Sequence, residues 1–148
     1  MLLQKKSLLF ITIIFLFSAI FTLSYATPAR VINLPKPNLP FSDGILVGNT
    51  LYVAGQNGMG ANEKMVSGGI APQTKMALSK IQKVVHEAGF RMKDVVSTTV
   101  YLSNMNDYQK MNTIYRRYFR NPTPTRVTVQ VARLALNANI EISAIAVK

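Results

Sequence analysis

A single α+β domain behind an N-terminal export segment is the architecture the sequence predicts, and three observations lead to it. The 148 residues have room for one domain and little else. Five short runs rich in β-branched residues are bounded by glycine, asparagine or proline, as strands are. Two longer segments place apolar residues three and four apart, as amphipathic helices do. In chain order the elements read strand, strand, helix, strand, helix, strand, strand.

The first 26 residues, MLLQKKSLLFITIIFLFSAIFTLSYA, stand apart. Lys5 and Lys6 precede sixteen largely apolar residues from Leu8 to Leu23, and Ser24 and Ala26 give small residues at −3 and −1. That layout is a secretory signal peptide, which predicts a periplasmic or secreted protein. The alternative is an uncleaved membrane anchor, since no charge occurs from Ser7 to Ala29. Residues 27–43 hold four prolines and read as an extended arm, and residues 44–148 form the domain.

Cleavage leaves about 122 residues, a size that buries roughly two thirds of its unfolded surface. The chain has no cysteine, which excludes thiol chemistry and cysteine-metal sites and leaves stability to packing or oligomerisation. Two of the seventeen basic residues lie in the signal segment, leaving fifteen against six acidic ones, a net charge of +9. Anionic partners are favoured in general. The charges are scattered, only Arg116, Arg117 and Arg120 cluster, and no aromatic-flanked basic groove accompanies them, so nucleic acid is not indicated.

Within the domain, GILVGNTLYVAG predicts a hairpin turning at Gly48-Asn49. The glycine-rich QNGMGANEKMVSGG is a loop beside a strand end, a common border of binding sites. Ala77, Leu78, Ile81, Val84, Val85 and Ala88 mark a helix stopped by Gly89. His86, the only histidine, falls on its polar face with no second ligand type nearby. DVVSTTVYL is a strand, and Asn104 or Asn106 then caps a helix running to about Phe119. Its apolar face is Tyr108, Met111, Ile114, Tyr115, Tyr118 and Phe119. Asn112 sits inside that stripe, where a buried amide either satisfies the backbone or faces a ligand.

The last two strands each carry one charge. Val127, Val129 and Val131 alternate with Arg126, Thr128, Gln130 and Ala132, which puts Arg126 on the more polar face and predicts that the helices cover the valines. Ile140 and Ile142 flank Glu141, which shares a face with Ser143. A half-solvated sheet accounts for charges so placed. Across a simple hairpin over 133–139, Arg126 and Glu141 would stand roughly 15–20 Å apart at about 3.3 Å per residue. A small site using both therefore requires non-adjacent strands or a second chain.

The element order, with VAGQ, IAPQTKMALSKI, VVSTTVYLSNMNDYQKMNTIYRRYF, PTRVTVQVARL and IEISAIAV, resembles the reactive intermediate deaminase family, also called RidA or YjgF-like, over nearly all of residues 33–148. The resemblance implies a chorismate-mutase-like α+β fold and a homotrimer with three clefts between subunits. It also implies hydrolysis of 2-imino acids such as 2-aminoacrylate or 2-iminobutyrate to 2-oxo acids and ammonia, without metal or organic cofactor. Carried over, Arg126 matches the arginine that holds the substrate carboxylate and Glu141 the glutamate that positions or deprotonates water. Asn112 matches a cleft asparagine and Gly55 a glycine bordering the ligand. Two positions depart from the pattern: Phe41 stands where active members often carry tyrosine, and Thr128 where many carry cysteine. Those departures leave open a non-catalytic, small-carboxylate-binding or chaperone-like role.

Overall fold

The computed structural model describes residues 27–35 and 40–148. The predicted signal segment and its cleavage lie outside the described residues. Six strands form one mixed sheet: β1 (Arg30–Ile32), β2 (Gly44–Val47), β3 (Thr50–Asn57), β4 (Val95–Leu102), β5 (Thr125–Gln130) and β6 (Ile140–Val147), in the order β1-β2-β3-β6-β4-β5. Two helices, α1 (Ile70–Glu87) and α2 (Tyr108–Tyr118), cover one face. Among the described strands only β4 and β5 run parallel, and α2 is the crossover between them, the connection a parallel pair requires.

The predicted helices form where the periodicity placed them. α1 buries Ala77, Leu78, Ile81, Val84 and Val85, and the chain leaves it through Gly89 at φ 84°, a conformation that favours glycine. α2 follows a single 3₁₀ turn (Met105–Asp107) capped by Asn104, whose side chain accepts from Asn106 N–H at 3.0 Å. Leu51, Val100, Leu102, Ile140 and Ile142 from the sheet meet these helices in a single core. β2 and β3 make the predicted hairpin, with Gly48-Asn49 between them.

Two features differ from the expectation, and a third decides between arrangements the sequence left open. The proline-rich arm supplies a strand, β1, which pairs antiparallel with β2 at the sheet edge. Asp43, fully buried, ties this arm down: its carboxylate accepts from Leu34 N–H at 2.9 Å and from Gln56 Nε2 at 3.1 Å. β5 and β6 are no hairpin, because β4 lies between them. Finally, the faces of β5 are inverted. Val127 and Val129 are 58% and 38% exposed, while Arg126 and Thr128 turn toward the helices. The valines join Val31, Ile45, Val47, Tyr52 and Val147, all exposed, in an apolar outer face that no helix among the described residues covers.

Candidate functional site

Arg126 reaches the helix side through strand register. It pairs with Thr98 on β4, which pairs with Ala144 on β6, and both partners are buried; side chains in one lateral row share a face. Above this row lies α2, whose i, i+4 and i+7 positions Tyr108, Asn112 and Tyr115 make one stripe. The Arg126 guanidinium sits over the Tyr115 ring, 4.6 Å from its centroid, and 5.6 Å from that of Tyr108. Its Nη2 donates to Tyr108 Oη at 3.1 Å. Tyr115 is itself fixed, its hydroxyl 2.7 Å from Thr98 Oγ1. A guanidinium stacked on an anchored ring keeps its remaining N–H fork in one orientation, as bidentate carboxylate binding requires.

Hydrogen bonding with Asn112, and then the charge of Arg126, hold the Tyr108 hydroxyl below the ordinary tyrosine value. Burial acts oppositely on Tyr115, raising it against the hydrogen bond with Thr98 and the charge of Arg126. Together Tyr108, Asn112, Tyr115, Arg116 and Arg126 line an open cleft of about 350 Å³ with Phe119, Thr123 and Pro124. Asn112 is 7% exposed and opens onto this cleft. Thr128 lies on the same face, two residues beyond Arg126, and its buried hydroxyl has no hydrogen-bond partner among the described residues.

Glu141 points the other way. Its row contains Tyr101 and Val129, and it stands an odd number of residues from Ala144, hence on the outer face. There it meets β3, whose register against β6 shifts by one residue between Val53 and Gln56, an irregularity that contains Gly55. A methyl group added to Gly55 would lie 2.8 Å from Glu141 Cδ, so glycine is what lets the carboxylate lie over this backbone.

The six residues singled out in the sequence thus divide. Arg126, Asn112 and Thr128 are on the helix side, and Gly55 and Glu141 on the opposite face. Phe41 is exposed, two residues before Asp43, whose carbonyl accepts from Ala54 N–H at 2.8 Å. His86 is exposed on α1. Among the described residues no three His, Cys, Asp or Glu side chains gather as a metal site needs. Sequence reasoning did not assign Tyr108 and Tyr115 as the supports of Arg126, although their spacing around Asn112 was the available signal. Arg116 read only as part of a basic cluster.

A sequence model of the family described as Endoribonuclease L-PSP matches residues 31–148. The chain belongs to the RidA/YjgF family. A RutC family protein of Pyrococcus horikoshii is 44% identical over 117 residues, which is 78% of this chain and 93% of that protein. The human protein named 2-iminobutanoate/2-iminopropanoate deaminase is 40% identical over 110 residues, 74% of this chain and 80% of that one. The crystal structure of the YjgF gene product of E. coli superposes with a TM-score of 0.76 at 30% identity, covering 80% of this chain and 98% of that chain. The mixed sheet with two helices on one face is therefore the RidA/YjgF fold.

Proposed function

We propose that the chain is an exported hydrolase of 2-imino acids and their enamine tautomers, working as a homotrimer. The observation that carries this reading is the Arg126 guanidinium, stacked on Tyr115 and braced by Tyr108 at the edge of an open cleft. It suits a substrate carboxylate, held through two charge-assisted hydrogen bonds. The relatives named as iminobutanoate deaminases support the same chemistry.

In the reaction, water oxygen bonds to the imine carbon while Glu141 takes one of its protons, and the imine nitrogen gains a proton. The carbinolamine then breaks its C–N bond. The hydroxyl proton lost on carbonyl formation passes to the amine nitrogen, so ammonia leaves, and imino acid plus water gives oxo acid plus ammonia. Because Glu141 and Arg126 occupy opposite faces of one sheet, a cleft using both takes them from neighbouring subunits. The uncovered apolar outer face supports that assembly, since exposed patches of this kind mark contact surfaces.

The test is to generate 2-aminoacrylate or 2-iminobutyrate enzymatically and follow imine decay with the purified domain. Acceleration is expected, and Glu141→Gln should reduce it by about 10²–10⁴-fold. A carboxylate-binding protein without turnover is the second reading, favoured by Phe41 and by the Thr128 hydroxyl in place of a thiol. Oxo-acid stabilisation in a melting assay with no imine acceleration would select it. Export is tested by fractionation and by the N-terminal mass of the mature chain, expected to begin at Thr27.

A further inference from the structure

Within one chain, the cleft that holds Arg126 holds a second cation and, among the described residues, no anion of its own beside the Glu141 that a neighbouring subunit would bring. Arg116, exposed on α2, lines the same space, and no Asp or Glu is among the lining residues. The two arginines have different surroundings. Arg126 is half-buried and braced by both tyrosines, whereas Arg116 stands exposed at the solvent side of the same lining. Between them, Tyr108 oxygen accepts from Arg126 Nη2 and hydrogen-bonds with Asn112. A phenol whose oxygen already accepts in this way has its own proton left to donate.

One guanidinium and one phenol satisfy one carboxylate. The second guanidinium then has no counterpart in a monocarboxylate ligand. We propose that the cleft selects imino acids bearing a second carboxylate, with Arg126 and Tyr108 taking the α-carboxylate and Arg116 the distal one. The inference rests on the imine-hydrolase reading and sharpens its substrate class. The chemistry is unchanged: the imino diacid plus water gives the oxo diacid plus ammonia. Its source must be a two-electron oxidation of an acidic amino acid, or loss of water from a β-hydroxy acidic amino acid. A cleft of about 350 Å³ lies at the small end of ligand pockets, roughly 300–1,000 Å³, and suits a molecule of this size. The basic net charge of the domain steers dianions toward it more strongly than monoanions.

The test compares kcat/KM for 2-iminoglutarate and 2-iminobutyrate, each generated by an amino-acid oxidase. The diacid should exceed the monoacid by about tenfold or more, the scale of one added charge-assisted contact. Arg116→Gln should bring the ratio toward one, with the change in KM, and rising salt should act in the same direction. Equal values for the two substrates in the unaltered protein, or a ratio that Arg116→Gln leaves untouched, overturn the proposal while the hydrolase reading stands. If neither imine is hydrolysed, the hydrolase reading fails, and calorimetry with 2-oxoglutarate and 2-oxobutyrate decides the selectivity. Equal affinities there overturn it as well.

Discussion

At Arg126 the contribution of shape can be separated from that of charge. Lysine keeps the charge but loses both the fork and the stack on Tyr115. Arg126→Lys should lower kcat/KM for imine hydrolysis by about tenfold to a hundredfold, the range of a charge-assisted hydrogen bond, with little change in melting temperature. Tyr108 adds a pH dependence. Its hydroxyl donates to a ligand carboxylate only while protonated, and above its pKa it becomes a negative charge beside that carboxylate. Since that pKa is held below the ordinary tyrosine value by Asn112 and Arg126, oxo-acid affinity should fall at lower pH than an unperturbed phenol near 10 would cause. Titration calorimetry through the alkaline range checks this, and Tyr108→Phe should abolish the decline. Arg126 and Asn112 stand out because a charge in a strand and an amide in an aromatic stripe break their patterns, but spacing alone favours a solvated sheet face and a structural amide, and only the family resemblance points to a ligand. The bracing by Tyr108 and Tyr115 was not legible, because it depends on which face of β5 meets α2.

Among the elements, two strand glycines, one buried and one exposed, have opposite meanings. A methyl group at Gly44 would lie 2.8 Å from Val84 Cγ1 and 3.1 Å from the Tyr52 carbonyl oxygen, against packed core and backbone. Gly44→Ala should cost about 1–3 kcal/mol of stability, as overpacking does. At Gly55 the same methyl meets only the end of the Glu141 side chain, which can swing away. Gly55→Ala should leave the melting curve nearly unchanged and reduce turnover by up to about a hundredfold, because the carboxylate is displaced. Paired melting and activity assays on the two variants check both halves of the contrast. Both helices and the β2–β3 hairpin could be read directly, since periods and turn residues act locally. The polarity of β5 could not. Alternation shows that Val127 and Arg126 face apart, but a tyrosine shelf on α2 draws the arginine inward and leaves the valines outside. β1 escaped for a related reason: three residues in a proline-rich arm carry no period of their own.

For the whole molecule, the inverted β5 explains why a +9 domain shows an apolar face. Val127 is the most exposed of the sheet's outer valines, so a charge there should oppose association without disturbing the core. Light scattering of the mature chain at micromolar concentration should give a trimer mass, and Val127→Glu a folded monomer that no longer hydrolyses imines. A stable monomer from the unaltered chain would defeat the shared cleft.

Because Arg126 and Glu141 lie on opposite faces, the proposed shared cleft draws them from different chains, and a lesion at one leaves the other intact. Two inactive alleles, Arg126→Ala and Glu141→Gln, should therefore complement each other when co-expressed. In randomly assembled rings with head-to-tail contacts, about one cleft in four draws an intact arginine from one chain and an intact glutamate from the next. Roughly a quarter of normal activity should return from the mixture, while a single chain carrying both changes gives none when expressed alone. Genetics can thus read subunit geometry that the isolated domain keeps hidden, and a mixture that stays dead would mean the two residues never share a cleft.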